Sequence, residues 1–357
     1  MKINSFPNIS QNSAQQLRQN GDGLGIEAPE GATVSQAMPV KHDAHEDENQ
    51  RLLEARRLWQ KRRIELETAT RMRSVLGFEI KAELKLLQRV VEFAGLMLRV
   101  FRLEKIGIQA ALDPQLQHYE LTFENLPKEF DGFCILHLTD LHLDTLEGLP
   151  QAIAQKVALI KDSVDFTVIT GDYKDKHGGP WRHTIPMFRQ VVDAVPGSGP
   201  IYFTLGNHDS QDMLEGYECS RVIGLMNESV VFERAGKRLV LTGIDDVHRF
   251  YTPAAEQALK NNAGDFKVVI THTSELYQQA AAEKYDLYLN GHTHGGQICL
   301  PGGIQILSRQ RAPRAFGSGF WRYEHMQGFT NRGAGVVKLP VRYYCPGEIA
   351  IFKLRSK

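Results

Sequence analysis

Phe133-Cys134-Ile135-Leu136-His137-Leu138-Thr139-Asp140-Leu141-His142 is the stretch that decides the fold of this 357-residue chain. Its first six residues make an apolar run fit for a buried strand. The strand delivers Asp140 and His142 two residues apart, on one side of the chain, as strand periodicity requires. Working outward, the same design recurs. Phe166-Thr167-Val168-Ile169-Thr170 runs to Gly171, which frees the chain to turn, and then to Asp172. Pro200-Ile201-Tyr202-Phe203-Thr204-Leu205 turns at Gly206 into Asn207, His208 and Asp209. Lys267-Val268-Val269-Ile270-Thr271 runs into His272, and Asp286-Leu287-Tyr288-Leu289-Asn290 reaches Gly291-His292-Thr293-His294. Strand ends are where an α/β sheet gathers distant side chains.

Taken singly, each segment has an ordinary explanation. Gly-Asp after a strand is a common turn, and a lone histidine is usually satisfied by its neighbours. Their occurrence in one order, after similar strands and within one domain's length, points to a metal site. Carboxylate oxygen, amide oxygen and imidazole nitrogen, with no thiolate, suit Mn²⁺, Fe or Zn²⁺.

At these residues the chain resembles the calcineurin-like metallophosphoesterase superfamily, over about residues 118 to 354. The resemblance implies two divalent ions; on the donor types, Mn²⁺ is the first choice and Fe or Zn²⁺ the alternatives. Carried over residue by residue, it puts Asp140, His142, Asp172 and His294 on one ion. Asp172, Asn207, His272 and His292 fall on the other, with Asp172 bridging. Gly291-His292-Thr293-His294-Gly295-Gly296-Gln297 is similar to a bacterial branch of the family. So is Asn331-Arg332-Gly333 followed by Leu339-Pro340-Val341-Arg342. That branch contains phosphodiesterases and hydrolases of UDP-diacylglucosamine in lipid A synthesis. Two departures, Tyr173-Lys174 after Asp172 and Thr273-Ser274 after His272, remove no ligand.

The implied chemistry is hydrolysis of a phosphodiester or pyrophosphate bond by metal-activated hydroxide. By the same resemblance His208 protonates the leaving group, and Asp209 is expected to orient it, as carboxylates commonly do for working histidines. A lipid-linked or nucleotide-sugar substrate such as UDP-diacylglucosamine fits the branch. A phosphomonoesterase or protein phosphatase is the alternative, and a non-catalytic scaffold on the same fold a third. Lys174, Lys176, Arg182, His183, Asp245-Asp246, Arg332 and Arg342 are candidates for meeting the substrate or for being ordinary loop charges. Phe316, Phe320 and Trp321, in the segment from Arg309 to Tyr323, read as an aromatic loop over the site.

Acidic and basic residues balance at 42 each, so net charge gives no reason to expect nucleic acid. Cys134, Cys219, Cys299 and Cys345 lie far apart and read as thiols in a reducing, cytoplasmic compartment. Residues 1–47 read as a disordered tail without a secretory signal. Residues 48–108 read as a basic helical extension, with 14 Lys/Arg against 7 Glu over 51–105. The apolar stripe Leu86-Leu87, Val90-Val91, Phe93-Ala94, Leu96-Met97-Leu98 and Val100-Phe101 is broken by Arg89, Glu92, Arg99 and Arg102. Two readings of residues 86–105 stand. The helix packs on the catalytic domain or in an oligomer, or it lies peripherally on an anionic membrane surface at the inner face of the cytoplasmic membrane.

After a linker at 106–117, the domain of 118–357 should hold helices at 148–162, 183–194, 211–225, 253–263 and 274–283. A hairpin around Ala235-Gly236 and strands at 118–123, 297–300, 304–307 and 348–354 complete it. Strand–helix alternation followed by hairpins predicts an α/β fold, a four-layer αββα sandwich of two mixed β-sheets with an N-terminal helical extension.

Overall fold

The computed structural model describes residues 2–3, 44–75, 89, 95–260, 262–306 and 310–357. Most of the expected tail, and residues 86–88 and 90–94 of the apolar stripe, lie outside the described residues. The chain divides into two compact units, Asn4–Leu58 and Met1–Ile3 with Trp59–Lys357. The described part of the smaller unit is the first half of helix α1 (Ala44–Val75).

The larger unit is built on two sheets. In one, β2 (Gln115–Phe123), β15 (Glu348–Ser356), β3 (Cys134–Leu138), β4 (Phe166–Thr170), β5 (Ile201–Thr204) and β6 (Val222–Gly224) lie side by side in that order. From β3 to β6 all neighbours are parallel; β15 runs parallel to β2 and antiparallel to β3. The other sheet orders β1 (Lys2–Ile3), β7 (Glu228–Arg234), β8 (Lys237–Gly243), β9 (Phe266–Ile270), β10 (Leu287–Asn290), β14 (Met326–Thr330) and β13 (Gly319–Tyr323). Within it β8, β9, β10 and β14 run parallel. A two-stranded ribbon, β11 (Cys299–Leu300) with β12 (Ile304–Gln305), stands apart.

Strand alternation sorts the side chains into layers. Ile135, Phe166, Val168 and Tyr202 point from the first sheet into one core with Phe232, Leu239, Leu241, Val268 and Leu289 of the second. Their strand neighbours Leu136, Leu138, Ile169 and Phe203 face outward. They meet α3 (Leu149–Val157) and α4 (Thr184–Asp193) through Leu149, Ile153, Phe188 and Val191. On the far side, Val269 and Tyr288 meet Ala255 and Leu259 of α6 (Pro253–Leu259) and Ala280 of α7 (Tyr277–Ala282). Helix, sheet, sheet, helix: the αββα sandwich is the observed architecture.

Three expectations about elements need correction. The stretch 106–117 is not a plain linker, since α2 (Glu104–Ala111) occupies its first half and β2 its last three residues. Gly107 lets α2 sit against residues 341–343: an added Cβ would fall 2.6 Å from that of Val341, and the Gly107 carbonyl accepts from Arg342 N–H at 3.0 Å. The helix expected over 211–225 ends early, as α5 (Met213–Tyr217), and the chain then enters β6, the edge strand. The aromatics Phe316 and Trp321 are core and not a lid, while Phe320 is half-exposed. Trp321 on β13 is buried, its ring fills the space above Gly328, and Phe316 stacks on it at 4.3 Å.

Candidate metal centre

Five strand ends converge. β3, β4 and β5 are parallel neighbours, so the turns carrying Asp140 and His142, Asp172, and Asn207 to Asp209 leave the same edge of the first sheet. β9 and β10 are parallel neighbours in the second sheet and carry His272, His292 and His294. The donor atoms of Asp140, His142 and His294 lie within 4.8 Å of one another, and so do those of Asp172, His272 and His292. Asp172 joins the two groups. Its Oδ2 is 3.2 Å from Nε2 of His272 and 3.6 Å from Nε2 of His142. Asn207 completes the set, with Oδ1 3.1 Å from Nε2 of His272.

The backbone at these turns is unusual. Asp140, His142, Asp172, His292 and His294 all have positive φ, between 38° and 76°. Aspartate and histidine tolerate this left-handed region better than most residues, and such conformations gather at functional sites. Hydrogen bonds aim the rings. His142 Nδ1–H donates to the Lys174 carbonyl at 3.0 Å and His272 Nδ1–H to the Thr170 carbonyl at 2.7 Å. Each leaves Nε2 turned inward, as metal-binding histidines are held. Asp140 Oδ2 accepts from Thr139 Oγ1–H at 2.8 Å and from His292 N–H at 2.9 Å, while Oδ1 has no donor.

The cluster is electrostatically awkward without a cation. Burial pushes the Asp172 carboxyl up to about 7, with Asp209 and Asp140 adding to the rise and His272 opposing it. Burial raises Asp140 as well and drives His142 down to about 3, the charge of His272 adding to the fall. Nε2 of His142 and Nε2 of His294 face one another at 3.2 Å, an arrangement in which two lone pairs collide unless a proton or a metal lies between them. Buried carboxylates, an undonated oxygen and inward imidazole nitrogens fit divalent ions, whose charge would reverse these shifts.

His208 sits beside the cluster. Its Nδ1–H donates to the Asp175 carbonyl, and Nε2 lies 3.8 Å from Asp172 Oδ2. Asp209 does not orient it. Both carboxylate oxygens are taken by backbone amides, of Asp172 at 2.7 Å, Gly206 at 2.8 Å and Tyr173 at 2.9 Å, so Asp209 ties two ligand-bearing turns together. The ring partner that sequence reasoning missed is His177, whose ring centroid lies 3.7 Å from that of His208. Its Nδ1–H donates to the Asn207 carbonyl at 2.9 Å. The available sign was a histidine five residues after Asp172, ahead of Gly178-Gly179-Pro180. A cleft of about 790 Å³ opens along this loop, lined in part by Leu143, Leu146, Lys176, His177, His183 and Met187.

Several candidate substrate contacts are structural instead. Lys174 Nζ donates to the carbonyls of Lys176 and Gly178. Arg342 is buried and donates to the carbonyls of Arg332, Gly333, Gly335, His294 and Cys345. Arg332 pairs with Glu348 at 3.2 Å, and Asp245 with Arg63 at 2.6 Å. His183 pairs with Asp144 at 3.0 Å, and Arg182 lies over Trp181. Of that group, Lys174, Lys176 and His183 line the cleft.

The family model for calcineurin-like phosphoesterases matches residues 134–296, the span that carries all seven candidate ligands. Residues 134–296 form a calcineurin-like phosphoesterase domain. The phosphoesterase is similar to two uncharacterized metallophosphoesterases of Bacillus subtilis. YkuE is 29% identical over 247 residues, 65% of this chain and 82% of that protein. YkoQ is 28% identical over 234 residues, 62% of this chain and 83% of that protein. The phosphodiesterase YaeI of Escherichia coli is 26% identical over 239 residues, covering 62% of this chain and 82% of that one. The chain is a metal-dependent hydrolase of phosphoric esters.

Proposed function

We propose that this phosphoesterase cleaves phosphodiester or pyrophosphate bonds, on a lipid-linked or nucleotide-sugar substrate such as UDP-diacylglucosamine, with Mn²⁺ as its metal. The observation that carries the reading is the meeting of two ligand groups at the Asp172 carboxylate. Asp140, His142, Asp172 and His294 would hold one ion; Asp172, Asn207, His272 and His292 would hold the other. When bound, such a pair polarises the phosphoryl group and acidifies the attacking water. The rest falls to the chain. The carbonyls of Thr170 and Lys174 keep two imidazoles aimed, and His208, held through Asp175, faces the leaving group and gives it a proton. The cleft beside His177 gives that leaving group room. YaeI, named a phosphodiesterase, supports the diester over the monoester.

The test is hydrolysis by the Mn²⁺-loaded chain of bis-p-nitrophenyl phosphate, p-nitrophenyl phosphate and UDP-diacylglucosamine, beside Asp172→Ala. Diester or pyrophosphate cleavage that Asp172→Ala abolishes, with its circular dichroism unchanged, is the expected result. Preference for the monoester would favour the phosphatase alternative.

We further propose that residues 86–105 touch an anionic membrane surface. In its described part Leu96, Val100, Phe101 and Leu103 are exposed, among Arg99, Arg102 and Lys105. Among the described residues no helix is long and apolar enough to cross a membrane. The full chain should float with anionic liposomes and Phe101→Asp should float less; equal recovery of both rejects the idea.

A further inference from the structure

Arg63 lies on α1, far from the strand ends in sequence, yet its guanidinium is fully buried. Nη1 donates to Asp245 Oδ1 at 2.6 Å and Nε to Glu67 at 2.8 Å. Nη2 donates to the carbonyl oxygens of Gly206 at 3.3 Å and Asp209 at 3.1 Å. Phe250 closes one face, its ring centroid 3.6 Å from the guanidinium carbon. One turn earlier, Trp59 Nε1–H donates to Asp245 Oδ2 at 2.8 Å; one turn later, Glu67 accepts from Gln211 N–H at 2.9 Å. Residues four apart share a helix face, so these three side chains act as one strip. The strip grips Asp245 and the turn from Gly206 to Gln211.

That turn presents Asn207 and His208. Gly206 and Asp209 bracket them, and Arg63 holds the carbonyls of both. The Asp209 carboxylate pins the same turn to Asp172 from the other side. We propose that Arg63, set by Trp59 and Glu67, is a positioning residue for Asn207 and His208, so that residues 59–67 of α1 belong to the hydrolytic machinery. Arg63 acts through the backbone it holds, not on the substrate. Arginine suits the task because its planar fork donates in fixed directions to two carboxylates and two carbonyls at once, which an ammonium group does not match. Asp245 and Glu67 balance the buried charge.

The inference rests on the metal-centre reading above, and the experiment separates the two. Full-length wild type, Arg63→Lys, Glu67→Gln and Trp59→Phe are titrated with Mn²⁺ by calorimetry. Each is also assayed for kcat and KM on bis-p-nitrophenyl phosphate and for Tm. Arg63→Lys should bind one of two Mn²⁺ ions about ten- to a hundredfold more weakly, the usual cost of losing a residue that supports a ligand, and lose kcat by a similar factor. KM should change little. The other two variants should shift the same way by less. A purely structural role would lower Tm alone, and unchanged Mn²⁺ affinity and kcat in Arg63→Lys overturn the proposal. Should Arg63→Lys fail to fold, unchanged affinity and kcat in both Glu67→Gln and Trp59→Phe overturn it instead. A wild-type chain that takes up none of Mn²⁺, Fe²⁺ and Zn²⁺ defeats the metal-centre reading itself.

Discussion

Asp140, His142, Asp172, His292 and His294 keep a left-handed backbone. Each such residue costs on the order of 1–3 kcal/mol, which the surrounding hydrogen bonds must offset. The sequence hinted at this only through residue type, because aspartate and histidine accept positive φ more readily than β-branched residues do. All seven ligand candidates were legible, since each follows an apolar run that ends in a turn. Asp209 and His177 were misread or missed for one reason: which partner a side chain finds across a turn depends on the neighbouring strand's register, which spacing does not encode. His208 allows a test at this scale. A general acid matters most where the departing oxygen is basic. His208→Asn should lower cleavage of an alkyl phosphodiester by about a hundredfold or more and that of a p-nitrophenyl ester far less. Steady-state rates on the two esters check it, and equal losses would remove the acid role.

Among elements, the turns after β4 and β5 approach closely. A Cβ on Gly206 would stand 2.6 Å from the Asp172 amide nitrogen and 2.9 Å from its carboxyl carbon. The overlap is with backbone and a held carboxylate, so neither can step aside cheaply. Gly206→Ala should therefore cost about 1–3 kcal/mol of stability, typical of overpacking, and displace Asp172. Denaturant unfolding together with Mn²⁺ binding measures both effects, and a variant with wild-type Mn²⁺ affinity would contradict the expected displacement. The buried strands β3, β4, β5, β9 and β10 were plain from continuous apolar runs. Less plain were β13 and α5. Aromatic residues such as Trp321 serve lids and cores alike, and the short α5 yields to β6 because edge pairing with β5 wins over helix continuation.

At the scale of the whole molecule, the first sheet supplies Asp140, Asp172 and Asn207 while the second supplies His272, His292 and His294. Cations that bind both should cross-brace the sandwich and stabilise only the folded form. Two ions, each at a hundred times its Kd, would add about 5 kcal/mol. For a domain of this size that is roughly 10 °C or more in Tm. Melting with EDTA and then with added Mn²⁺ gives the comparison, and superimposable curves would argue against a bound pair. The αββα architecture followed from alternating strands and helices, but the strand order did not. Nothing in residues 348–356 announces that β15 inserts between β2 and β3.

That insertion bears on how the protein is made. During synthesis β2 and β3 leave the ribosome more than two hundred residues before the strand that joins them. Until residues 348–356 follow, β3 exposes one unmatched hydrogen-bonding edge and β2 has no strand partner, the kind of surface on which nascent chains associate wrongly. The first sheet is complete only when this late strand arrives.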